Sequence, residues 1–403
     1  MMPRVIEIDA AKEMRALGCD ETGIKLMAPK AVLRVIKLRG LRPAAANIIK
    51  QEMLSFGGDA ATAYGTVNFS VKATDLLIFG TIKQFRLLIE KLKMHQFGLP
   101  EISRAIDSTL RNYASTPRPM RIGPRTLDFG LRTHVMGVLN ITPDSFYDGG
   151  KFFDPRKALS RAEKMVEEGA DIIDVGGEST RPGAKPVPVK EEIERVVPVI
   201  KTLSKNRKVA ISIDTRKAAV AQAALEAGAH MVNDVSGLRY DKKMAKLIGR
   251  YKVPVCVMHM RGNPRSMQKN PSYFDLMGEV IEELEESLAI AKNAGILHEK
   301  IMVDPGIGFG KSVENNLEIL RRLRELKVLG RPILVGPSRK STIGKVLDLP
   351  VEERLEGTAA AVAVSVMNGA DLVRVHDVRE MGRVVRMADA IARTSTGSVQ
   401  GRK

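Results

Sequence analysis

The alternation of apolar and polar positions changes rhythm near residue 130. Beyond it, short and nearly continuous apolar runs recur at 134–140, 172–176, 209–214, 231–234, 254–259, 301–304, 333–336 and 372–376. The segments between them carry helical periodicity. Those at 155–169, 217–228 and 274–295 end in glycine, the residue favoured at a helix C-terminus. Strands apolar on both faces and alternating with helices predict a parallel sheet covered on both sides. Eight such units in about 260 residues match a (β/α)8 TIM barrel, and their even repetition favours closure over an open doubly wound sheet.

Residues 1–117 follow a different plan. Strands are predicted at 32–38 and 74–80, and an amphipathic helix over 82–94, with Phe85, Leu87, Leu88, Ile89 and Leu92 on its apolar side. They form a smaller α/β N-terminal domain without a nucleotide loop or a catalytic constellation. Pro117, Pro119 and Pro124 then fall in a short polar stretch. Proline bars helix continuation and withholds a ladder donor, so 118–130 read as a linker and barrel lead-in. The barrel is expected over 131–395 and a flexible tail over 396–403.

Composition adds a sign and a setting. The chain is 44% hydrophobic and 28% charged, a globular balance with no collagenous or disordered bias. Its net charge is +17, of which +8 lies within residues 1–130, so anionic substrates or partners are expected. A basic N-terminal domain could dock RNA or protein, but with no Trp and 4% aromatic residues it has few stacking platforms. A solvated basic surface is the simpler reading, and nucleic acid is not expected as a partner. Cys19 and Cys256 cannot form a disulfide framework or a C-x-x-C metal site, which points to a reducing compartment. Acids at Glu7 and Asp9 interrupt any secretory apolar segment. The most apolar run, 359–367, is about half the roughly 20 residues that span a bilayer. A soluble, cytoplasmic protein is expected.

In a (β/α)8 barrel the active site lies at the C-terminal ends of the strands. Those ends carry Asn140, Glu178-Ser179-Thr180-Arg181, Asp214, Asn233, Met258-His259, Asp304, Ser338-Arg339-Lys340-Ser341 and Arg374-Val375-His376. A single polar strand end often caps the next helix; eight converging on one mouth point to a site. Asp214, Asn233, Asp304 and Lys340 supply donors and acceptors suited to a flat heterocycle with an amide-like edge. Arg181, Arg374 and His376, with Asn140, suit an oxyanion or diphosphate. Met258 and Phe309 can pack the faces of a ring. Two motifs fail. Gly310-Lys311-Ser312 resembles the end of a phosphate loop, but the loop's first glycine would fall on Pro305. Gly306, Gly308 and Gly310 miss the dinucleotide spacing. Neither His259 nor His376 has a second ligand at zinc spacing.

Several longer stretches carry a resemblance. They are Met136-Gly137-Val138-Leu139-Asn140-Ile141-Thr142-Pro143-Asp144-Ser145-Phe146, Glu178-Ser179-Thr180-Arg181-Pro182-Gly183-Ala184, Asp304-Pro305-Gly306-Ile307-Gly308-Phe309-Gly310-Lys311, Ser338-Arg339-Lys340-Ser341 and Arg374-Val375-His376-Asp377. In this order they resemble the dihydropteroate synthases over about two thirds of the chain, leaving the N-terminal part outside. The resemblance implies condensation of 6-hydroxymethyl-7,8-dihydropterin diphosphate with p-aminobenzoate, Mg2+ assisting, to give 7,8-dihydropteroate and diphosphate. It implies that Asp214, Asn233, Met258, Asp304, Phe309 and Lys340 hold the pterin. Asn140 would meet the metal and diphosphate, with Arg181, Arg374 and His376. Thr180, Lys340 and Ser341 would border the p-aminobenzoate, and the loops 141–153 and 179–188 would close over both. A homodimer is also expected.

The same residues make the implied chemistry reasonable. Mg2+ and two arginines would stabilise the departing diphosphate. Asp214 and Asp304 would stabilise the methylene cation left behind, so Asp214, Asp304, Lys340 and Arg374 are the expected catalytic residues. The aniline nitrogen attacks without a side-chain nucleophile. A barrel that passes a methyl group from a folate to a corrinoid protein would share the Asp/Asn floor, but has no use for Arg181, Lys340 and Arg374 as a diphosphate cradle.

Overall fold

The computed structural model describes residues 4, 6, 9–141, 147–148, 152–153, 155–179, 186–206, 208–262, 267 and 271–393. The chain divides into two compact units, Met1–Asn112 and Tyr113–Lys403.

In the first unit a central strand, Thr74–Thr81, pairs antiparallel with Leu33–Leu41 on one side and Asp59–Thr62 on the other. Its alternation buries Leu76 and Ile78 and leaves Leu77 exposed, as a sheet with one covered face requires. Thr81 ends the strand and starts helix Ile82–Lys93 through a capping box with Gln84. Phe85, Leu88 and Leu92 from that helix close a core with Ile49, Met53, Leu99 and Ile106.

The segment expected to be a linker is part of the second unit. Met120–Ile122 and Arg125–Leu127 pair as an antiparallel hairpin. Met120, Ile122, Leu127 and Phe129 are buried against Met136, Ile172, Met231, Met302 and Leu334. The hairpin thus plugs the N-terminal end of the barrel, and Phe129 meets His134 edge-to-face at 5.6 Å. The prolines concealed this: Pro124 falls in the turn between the strands, where its missing N–H costs no ladder bond. Limited proteolysis should therefore cut within 113–119 and spare 120–127, as mass spectrometry of the fragments would show. A truncation beginning at residue 131 should be insoluble, because it strips the apolar floor of its cover.

Besides a short antiparallel pair, Tyr147–Asp148 with Phe152–Phe153, the remaining strands match the eight apolar runs. They are β1 (His134–Asn140), β2 (Ile172–Gly176), β3 (Ala210–Asp214), β4 (Met231–Asp234), β5 (Val255–Met258), β6 (Ile301–Asp304), β7 (Leu334–Val335) and β8 (Leu372–Val375). All neighbours pair in parallel in the order β6-β5-β4-β3-β2-β1-β8-β7. A parallel bridge between Val303 and Ile333 joins β6 to β7 and closes the barrel. β7 is the shortest strand, and Pro332 and Pro337 flank it. Inward residues alternate with outward ones. Ile172 faces the plugged interior and Ile173 the helices, which puts Asp174 inside.

Candidate active site

Strands β3 to β8 supply the walls of one recess, open at the C-terminal mouth and lined by Asp214, Asn233, Met258, Asp304, Phe309, Lys340 and Arg374 among others. Sheet register assembles it. Asn140, Gly176, Asp214 and Asn233 stand in one row across β1 to β4, and Met258 pairs with Asp304 across β5 and β6. The six side chains expected to hold a heterocycle therefore meet at one place, together with Arg374.

The floor is a buried charge network. Arg374 donates from Nε to Asp174 Oδ2 and from Nη2 to Asp214 Oδ2, both at 2.6 Å. Asn233 Nδ2 donates to the same Asp174 oxygen at 2.9 Å. Asp174 is fully buried, and its Oδ1 has no hydrogen-bond partner. Sequence reasoning missed this residue, although a carboxylate within the run Ile172-Ile173-Asp174-Val175-Gly176 was the available signal. Burial opposes the charge of Arg374, but Asp174 and Asp214 hold its pKa above the ordinary value. Burial pushes Asp214 up to about 7; Asp174 adds to the rise, while Arg374 and Lys340 oppose it. Burial likewise raises Asp304 to about 6 against the Gly306 N–H, which donates to its Oδ1 at 2.7 Å.

Apolar walls face this floor. Met258 and Phe309 pack with Val235, Met260 and Met267, and Lys340 Nζ stands 4.2 Å from the centroid of the Phe309 ring. The backbone before Lys340 is set by its neighbours. Pro337 O accepts from Lys340 N at 3.3 Å, and Arg339 takes φ +56°. The Arg339 guanidinium forks onto Asp377 at 2.8 and 2.7 Å. Asp377 is thus engaged by Arg339, while the Arg374 fork goes to the floor.

The residues expected at a diphosphate are less tightly grouped. Gly176 leaves a gap between Asn140 and Asp214: a Cβ there would stand 3.6 Å from Asn140 Oδ1 and from Asp214 Oδ2. His376 shares a hydrogen bond with Ser338, Nδ1 to Oγ at 3.0 Å, while Ser338 Oγ accepts the His376 backbone N–H at 3.2 Å. Burial with the nearby Arg374 charge lowers His376 to about 4, leaving it neutral. Ser341 is exposed at the start of helix Ser341–Leu347. Thr180, Arg181 and most of the two loop segments lie outside the described residues. The flanks of the second loop are tied together: Lys217 Nζ donates to Glu178 Oε2 at 2.5 Å, to Val187 O at 2.6 Å and to Glu192 Oε2 at 2.5 Å. Among the described residues no group of three or more His, Cys, Asp or Glu could hold a metal by itself.

Residues 136–376 match the family described as pterin binding enzyme. Dihydropteroate synthase of Clostridium beijerinckii is 51% identical over 275 residues, 68% of this chain and all of that protein. The chain belongs to the dihydropteroate synthase family. It is an enzyme of the transferase class. A probable bifunctional folylpolyglutamate synthase/dihydropteroate synthase of Halobacterium salinarum is 42% identical over 393 residues, 97% of this chain, which spans 46% of that protein. That similarity runs through the N-terminal unit as well. Among solved structures, the Yersinia pestis dihydropteroate synthase with a sulfonamide is similar with a TM-score of 0.65 at 41% identity, covering 68% of this chain and 99% of that one. The Clostridium difficile enzyme determined in the presence of pteroic acid gives 0.63 at 52% identity, covering 66% and 99%. The (β/α)8 barrel expected from the sequence is the fold of this family member.

Proposed function

We propose that this chain condenses 6-hydroxymethyl-7,8-dihydropterin diphosphate with p-aminobenzoate, releasing diphosphate and 7,8-dihydropteroate. The observation that carries the reading is the recess itself. Buried carboxylates Asp214 and Asp304 offer acceptors beside the Asn233 amide, between the apolar faces of Met258 and Phe309, as the donor-rich edge and flat ring of a pterin require. The C–O bond between the pterin methylene and diphosphate breaks with its electron pair leaving on diphosphate. The aniline nitrogen then forms the new C–N bond and gives up a proton. Asp214 and Asp304 stabilise the positive charge that builds on the pterin methylene. Arg374 and neutral His376, with Arg181, receive the diphosphate, and Thr180, Lys340 and Ser341 border the p-aminobenzoate.

The Asn140 amide oxygen is a hard donor and fits a magnesium that arrives on diphosphate, since this ion keeps few protein ligands and takes substrate oxygens. When bound, the ion would neutralise the leaving group's charge.

This reading predicts the direction of a pH effect. Only the ionised Asp304 accepts two pterin hydrogen bonds, so pterin affinity should fall as pH drops through about 6. Calorimetry with 6-hydroxymethylpterin checks it, and an affinity independent of pH across that range would remove Asp304 from the subsite.

Three wider elements complete the proposal. Residues 1–112 are a separable domain not needed for the chemistry. The enzyme is a homodimer: helices Leu355–Met367 and Val378–Arg393 expose Val364, Met367, Met387 and Ile391, a face a second copy would cover. It works in the cytoplasm, where the free thiols Cys19 and Cys256 stay reduced. Among the described residues no helix is long and apolar enough to cross a membrane.

A further inference from the structure

The lysine of the rejected phosphate-loop look-alike has a setting of its own. Lys311 is 2% exposed and does not line the recess. A buried ammonium needs an acceptor for each of its three N–H bonds, and Lys311 has three. Its Nζ lies 3.1 Å from Gly306 O, 3.0 Å from Phe309 O and 2.8 Å from His259 Nδ1. Both carbonyls belong to the turn that follows Asp304. At one end of this turn the Gly306 N–H holds Asp304; at the other Phe309 presents its ring to Lys340. Gly306 (φ +68°) lets the turn pack directly on the His259 carbonyl, where a Cβ would collide with His259 O.

We propose that Lys311 is a positioning residue for the pterin subsite, its Nζ tying the Gly306 and Phe309 carbonyls to His259 and so fixing Asp304 and Phe309 relative to each other. The proposal rests on the pterin reading above. The hydrogen-bond count specifies the charged form. His259 is fully buried, and burial together with the Lys311 charge lowers it to about 4, so it is neutral and accepts at Nδ1. Its Nε2–H then faces Glu283 Oε2 at 3.3 Å, attracted although not aligned as a hydrogen bond. A neutral Lys311 has only two N–H bonds. Keeping the contact would then need the proton on His259 Nδ1, which turns the bare Nε2 towards the Glu283 carboxylate.

Charges from every side bear on this group. Burial pulls Lys311 down to about 7, Asp304 and Glu283 favour its charge, and Arg261 and Lys340 oppose it. Arg261 is itself paired with Glu279 and Glu283 at 2.7 Å, and Tyr273 Oη donates to Gly310 O at 2.8 Å. The Lys311 charge in turn favours the Asp304 carboxylate. Lys311 therefore acts on the subsite through geometry and through the ionisation of Asp304.

The test is Lys311→Met in the full chain, read by calorimetry with 6-hydroxymethylpterin across pH. Affinity should fall about ten- to a hundredfold, as expected for a lost charged donor and two stranded carbonyls. The acid limb should also move to higher pH, because Asp304 loses a neighbouring cation. A merely structural lysine would not move that limb. Unchanged affinity with an unchanged limb overturns the proposal. Should Lys311→Met not fold, His259→Phe keeps the ring against Tyr273 and removes the Nδ1 acceptor, together with the Nε2–H that faces Glu283. It should weaken pterin binding severalfold, and unchanged affinity would equally overturn the proposal. A wild-type chain that binds no pterin would instead refute the pterin reading itself.

Discussion

Asp304→Asn is expected to lower kcat/KM for the pterin diphosphate about a hundredfold or more while leaving the barrel as stable as before. Asparagine keeps the shape and the acceptor for the Gly306 N–H. What it loses is a charge-assisted bond to the pterin and the negative charge facing the developing cation, worth about 1.5–3 kcal/mol for the bond alone. The stability side follows from linkage. The folded Asp304 carboxyl is raised from 3.8 to about 6 by burial. A raised acid weakens the fold as pH climbs from the unfolded pKa through the folded one; the penalty is constant above that value and absent below the unfolded pKa. At neutral pH the penalty is on the order of 3 kcal/mol, and asparagine removes it. Thermal melting at pH 8 should therefore give a Tm at or above wild type. A residue retained against its own stability is there for function. Asp214→Asn should also depress turnover strongly with the barrel intact. Near-normal turnover in both variants would contradict the roles given to these carboxylates.

Arg374→Ala should be damaging in a different way. Its guanidinium bridges Asp174 and Asp214 at 2.6 Å, with 19% of the side chain exposed. Removing one partner of a buried ion network leaves uncompensated carboxylates and costs about 3–5 kcal/mol. For a unit of this size that is a Tm decrease of roughly 10 °C. The loss of the cation also raises Asp214 further above its value of about 7, so more of it is protonated at neutral pH. Both pterins should bind more weakly for that reason. The diphosphate form should lose about tenfold more than 6-hydroxymethylpterin, because Arg374 also serves the anion. Equal losses in calorimetry would confine Arg374 to the floor and take it out of diphosphate binding.

Much of this architecture was legible because burial on both faces leaves a strong pattern. All eight apolar runs are strands, and the residues at the ends of β3 to β8 do converge. What escaped has identifiable causes. Proline and arginine interrupt the hairpin at 120–127, so the sequence shows it only as a linker and barrel lead-in, yet Met120, Ile122 and Leu127 mark its buried side. Asp174 sits mid-strand, and attention to strand ends passed over it. In the sequence Lys311 resembles only the lysine of a broken phosphate loop, while its contacts with the Gly306 and Phe309 carbonyls follow from backbone positions that no spacing rule reveals.

On the proposed function, one recess binds a pterin diphosphate and passes its methylene to an arylamine. Turnover of the full chain with 6-hydroxymethyl-7,8-dihydropterin diphosphate, Mg2+ and p-aminobenzoate tests it most directly, following diphosphate release and dihydropteroate formation in the same sample. Equal amounts of the two products, formed only when p-aminobenzoate is present, are the expected result. No diphosphate release with both substrates, or release without dihydropteroate, would contradict the account.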